Sequence, residues 1–175
     1  GIVALTTDQI QSLTTDQMAG LSTRQVVALE TRDLAAITTD QIQALSTGSI
    51  AAIKTSDVKA LTTDQIVALT TSQISNLTTS TLGSLGTTQV QAIETDDIQA
   101  LSTKQRSTLA TSTLTALSTD QIVALTTDQV SNLSTAAIKA LLTDQVQAIE
   151  TDDIKVLTTA QLSNVSTATV QALST

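Results

Sequence analysis

An eight-residue phrase runs through the chain in variants such as TTDQIQAL, STDQIVAL and ETDDIQAL, and its register never slips between Leu5 and Leu173. A chain built of short repeats can bury its apolar residues only by stacking one repeat on the next, so this periodicity constrains architecture more than length does. Numbered from its leucine, the first complete octad is Leu5 to Ser12. Position one is Leu, Ile or Val throughout, and position three is Thr in all 22 occurrences from Thr7 to Thr175. Position six is apolar from Ile2 to Val170, with Arg106 as the one exception.

Neither regular element has this period. A continuous helix turns about 100° per residue, so eight residues overshoot two turns by roughly 80° and the apolar stripe would wind around the rod. In a plain strand, positions one and six have opposite parity and would face opposite sides. The repeating object is therefore a short element plus a corner. Taken as a helix N-cap, the Thr at position three offers its hydroxyl to amides two or three residues on. Asp8-Gln9 then fills the first turn, where acidic groups favour the positive end of the helix dipole. Ile10 and Leu13 share one face, and position eight is mostly Ala, which lets neighbours approach closely.

These assignments predict a helix of about one and a half turns over Asp8 to Leu13, with a corner at Thr14-Thr15. Isolated helices shorter than about 12 residues are marginal in water, so such units must stack. The expected fold is an all-α solenoid of very short helices, one per eight-residue repeat. The alternative is a β-solenoid, since Thr, Ile and Val favour strands. Against it, corners of that kind ask for positive φ, and five Gly and three Asn are few for so many corners. Coils of two, three or four octads all satisfy the pattern.

The core has no Phe, Trp or Tyr, so Ile, Leu, Val and Ala do all the packing. A net charge of −8 repels a phosphate backbone, and without aromatic residues there is no platform on which bases could stack, so no nucleic-acid partner is expected. No apolar run approaches the length that spans a bilayer, which argues against membrane insertion. The absence of Cys removes disulfides and thiolate metal sites. His, the commonest general acid–base group, is also absent, no base stands in register with any Ser or Thr, and no Gly-rich phosphate loop occurs. The chain is expected to be no enzyme and to bind no cofactor.

Two places break the monotony. Glu94, Asp96 and Asp97, with Glu150, Asp152 and Asp153, are the densest acidic groups and the residues from which a calcium site would have to be built. Their spacing matches neither an EF-hand loop nor a Gly-rich nonapeptide, and acids at a helix start already complement its dipole. No metal site is assigned. Arg106 replaces an inward aliphatic residue, and nearby Thr108 replaces the usual Ala, which predicts locally weaker packing with the Arg head reaching solvent.

Residues 62–117 and 118–173 agree at 34 of 56 positions without a gap, which marks a duplication of seven octads. There is no linker and no shift in composition, so 1–175 is expected to be a single tandem-repeat solenoid of about 22 octads, excerpted from a longer array. Its partners would be neighbouring repeats of the parent protein, with head-to-tail self-association at bare ends. The phrases TTDQIQAL and STDQIVAL resemble the Thr-rich octapeptide arrays of large bacterial surface or secreted proteins, adhesin-like ones among them. That resemblance spans the chain and implies an extracellular or cell-surface location and a structural or adhesive spacer role. It carries over no binding residues. A similar Thr-x-x-Gln-Val-x-Ala phrase opens the repeat of transcription activator-like effectors, whose longer unit, second helix and base-reading pair are missing here. The alternative function is a binding surface for ice, glycan or receptor on a β-solenoid.

Overall fold

The computed structural model describes residues 5–107 and 111–165. Among these residues every regular element is helical: nineteen α-helices of four to six residues and one 3-10 turn at Val58–Ala60, with no strand. The helical alternative therefore holds and the β-solenoid does not.

Each octad folds in one way. In the first, Ile10 N–H donates to the Thr6 carbonyl (2.9 Å), Ser12 N–H to Asp8 (3.0 Å) and Leu13 N–H to Ile10 (3.1 Å). That is a single helical turn closed by a tighter one, and it leaves positions one and two extended, as at Leu45 (φ −64°, ψ 140°) and Thr62 (φ −74°, ψ 162°). The corner consists of those two extended residues. No described residue has positive φ, which is why the chain turns so often with so few glycines.

The helices begin one residue earlier than the sequence suggests. The first is Thr7–Gln11, and its N-cap is Thr6, at position two of the cycle; the invariant Thr at position three is the first helical residue. Thr14, Ser22, Thr38, Thr62 and Thr70 cap their helices likewise. Position two is thus the occupied hydroxyl, contrary to expectation, and position three is not. Two adjacent hydroxyl residues compete for one cap, and the winner is the one whose backbone is extended. Among the described residues, Lys54 stands at position two of the one octad that closes as a 3-10 turn. Its side chain lacks an acceptor for the first amides and lies 3.9 Å from Asp57 instead.

Stacking fixes the coil. Thr31–Ala36 packs on Thr7–Gln11, Thr39–Ala44 on Thr15–Ala19 and Thr47–Ala51 on Thr23–Val27. The partner is always three octads away, so one coil is 24 residues and the solenoid has three columns of helices. Positions one and six of each octad point inward and form one continuous aliphatic core, from Ile10 to Leu157, with alanines such as Ala44, Ala68, Ala92 and Ala148 packed against its edge. Burying one Ile and one Leu contributes about 1.5–3 kcal/mol per side chain before conformational entropy is set against it.

Candidate functional site: an amide clamp between coils

Position five is the most informative place in the repeat. Nine glutamines there, including Gln41, Gln65, Gln73 and Gln121, are buried although uncharged amides usually lie at the surface. Each amide serves two partners. Gln41 Oε1 accepts from Thr38 N–H (2.9 Å) while Gln41 N–H donates to Thr38 Oγ1 (3.3 Å), which closes a capping box. Its Nε2 donates to the carbonyls of Ile10 (2.9 Å), Gln11 (3.1 Å) and Leu13 (2.7 Å), at the end of a helix in the coil below. Those carbonyls belong to a helix C-terminus and its corner, where backbone acceptors outnumber intrahelical donors. One side chain therefore starts its own helix and caps the end of another 28 to 31 residues earlier.

The contact recurs with little change. Gln65 reaches Leu34 (2.8 Å) and Ile37 (2.6 Å), Gln121 reaches Val90 (2.8 Å) and Ile93 (2.7 Å), and Gln145 reaches Leu114 (2.9 Å) and Leu117 (2.8 Å). In the first described coil Gln9, Gln17 and Gln25 close the same box but are exposed. Local pattern alone places Gln9 only in the first turn of its helix. A signal was present, because Ser or Thr at position two accompanies most glutamines at position five, the S/T-x-x-Q pattern of a capping box.

The acidic candidates do not gather. Asp97 and Asp153 take the glutamine's place at position five and are buried, whereas Glu94, Asp96, Glu150 and Asp152 are exposed, with Lys155 Nζ 2.7 Å from Asp152. Among the described residues no three acidic side chains are grouped so as to hold a metal ion. Burial pushes the Asp97 carboxyl above its ordinary range; the Thr71 hydroxyl opposes this by hydrogen bonding to it, and Glu94 and Asp96 add to the shift. Thr71 is a position-three residue on the helix directly below, so one invariant hydroxyl acts between coils. Asp33 is the third buried aspartate at position five, Asp57 being half-buried; it is fully buried, accepts no hydrogen bond, and has Arg32 Nε 3.6 Å from its Oδ1.

Arg106 holds its expected inward place and turns outward. Its Nη2 donates to Thr103 Oγ1 (2.8 Å), but its Nε is buried without a partner. Nearby in the core a void lined by Leu82, Ile98, Leu101 and Thr113 has room for about one water molecule, and Thr113 Oγ1 is likewise unpartnered. Thr108 lies outside the described residues. Arg106→Ile removes the desolvated N–H and restores an aliphatic knob, so stability should rise by about 1–3 kcal/mol, read as a higher urea midpoint. An unchanged or lower midpoint would contradict the inward placement.

A family model for the ALTTAQ repeat matches residues 15–47, 26–63, 50–87, 90–127, 107–135 and 146–175. No curated protein matches the chain.

Proposed function

Because the chain belongs to the ALTTAQ repeat family and its coils share one core and one recurring clamp, we propose that it is a non-catalytic spacer, a stiff structural or adhesive segment of a larger exported bacterial protein. The clamp is the observation that carries this reading. Each coil is tied to the next by buried amides as well as by apolar contact, which resists bending and shear between coils. Loss of His, Cys and Tyr from the repertoire accords with a role that needs no chemistry. Placement outside the cell rests on the likeness to Thr-rich surface arrays, and head-to-tail association with further repeats would extend the same stack.

A second reading gains from the corrected cap. The invariant threonines are not consumed by capping, and Thr39, Thr63, Thr87, Thr111 and Thr135 stand exposed in a single column. Such a rank of hydroxyls could engage a glycan or an ice surface. Small-angle scattering on variants lengthened by three octads tests the spacer: the long dimension should grow by about 8–10 Å per added coil, the spacing of packed helices. A particle whose length does not follow the number of coils would refute it, and retention on a glycan array or thermal hysteresis would favour the second reading.

A further inference from the structure

The seven-octad duplication has a geometrical result. Seven octads are two coils and one octad over, so a surface feature whose residues are kept in both blocks reappears one column around the solenoid. One feature is an open groove of about 510 Å³ where Val67, Ile93, Glu94, Asp96 and Asp120 meet. Its copy, about 590 Å³, is formed by Val123, Ile149, Glu150 and Asp152. The two valines are 45% and 44% exposed, on a surface where few large aliphatic side chains are left open. Glu94, Asp96 and Asp120 enter no salt bridge among the described residues, whereas in the copy Lys155 already pairs with Asp152 at 2.7 Å.

We propose that these two grooves are docking sites for a cationic peptide segment in which basic residues alternate with aliphatic ones. The aliphatic side chains cover Val67 or Val123, and the ammonium or guanidinium groups meet the carboxylates on the rim. Charge selects the partner: at these acidic rims a chain of net charge −8 disfavours a second acidic surface and attracts a basic segment. The first groove binds more tightly, because none of its acids is paired with a basic side chain among the described residues. Two sites on adjacent columns suit a partner that presents its segment twice, since linked engagement raises apparent affinity without new contacts.

Calorimetric titration of the whole chain with the peptide acetyl-Lys-Leu-Lys-Leu-Lys-amide at low ionic strength tests this. Two unequal sites are expected; Val67→Ser should weaken the tighter one by about tenfold and Val123→Ser the other, from lost apolar burial. Both valines are exposed, and far-ultraviolet circular dichroism would confirm that the variants keep the fold. Replacing the peptide's leucines by glycines should have the effect of losing both valines. Absence of binding, or binding that falls with salt yet ignores both serine variants, would overturn the proposal, because diffuse attraction to acidic rows needs no groove. Either result leaves the length test of the spacer untouched.

Discussion

Gln73→Leu lowers stability by about 2–4 kcal/mol, while Gln9→Leu, the same change at the same position of the repeat, costs about 0.5–1 kcal/mol. The two glutamines share the capping box: Gln9 Oε1 accepts from Thr6 N–H at 2.9 Å, and Gln73 Oε1 from Thr70 N–H at 2.9 Å. They differ in what lies beneath. Gln73 Nε2 also donates to Ile42 (2.9 Å), Gln43 (3.3 Å) and Leu45 (2.8 Å), and its removal strips a donor from buried carbonyls. Ile42 keeps a second partner in Leu45 N–H, so most of the loss falls on the Leu45 carbonyl. The difference between the two variants, read from urea midpoints, isolates the contact between coils from the cap. Equal losses would mean that the buried amide contributes only as a cap, and the mechanical basis of the proposed spacer would fail with it.

The second large effect comes from deletion. Removing residues 70–77, one whole octad, should leave the helical signal per residue unchanged and move the melting temperature by only a few degrees. The buried pair it takes away is offset by the conformational entropy no longer lost. Removing residues 70–73 alone should split the transition in two or abolish it. Half an octad sends positions one and six of every later repeat away from the core and breaks every clamp that crosses the cut. The duplicated block supports the first half of this expectation, because 56 residues is not a whole number of 24-residue coils and the stack nevertheless continues through it. Octads are therefore interchangeable among columns. A whole-octad deletion as damaging as the half-octad one would show that columns are not equivalent.

Much of the fold is legible from local pattern. The inward places of Ile10 and Leu13, the small residue between the helix and its corner, and the need to stack all follow from spacing. So does the outlier status of Arg106, whose buried, unpartnered Nε is the structural mark of an aliphatic position given to a cation. Local pattern puts the cap one residue late, at Thr7 instead of Thr6, because the two are equal in chemistry and differ only in backbone. The acidic residues form one group in sequence, but neighbours on a helix are about 100° apart, which sends Asp97 inward and leaves Asp96 outward.

Pattern within eight residues thus decided that the chain is helical, which side of each helix is dry, and that repeats must lean on one another. It could not decide how many repeats make a coil, because that number depends on the angle at each extended corner and on which helix ends come to face each other. Three per coil is the arrangement in which an amide at position five meets carbonyls 28 and 31 residues back. A hydrogen bond over that separation leaves no trace in the composition of a single repeat, so the capping box is legible in the sequence while only the assembled stack reveals the glutamine's second partner.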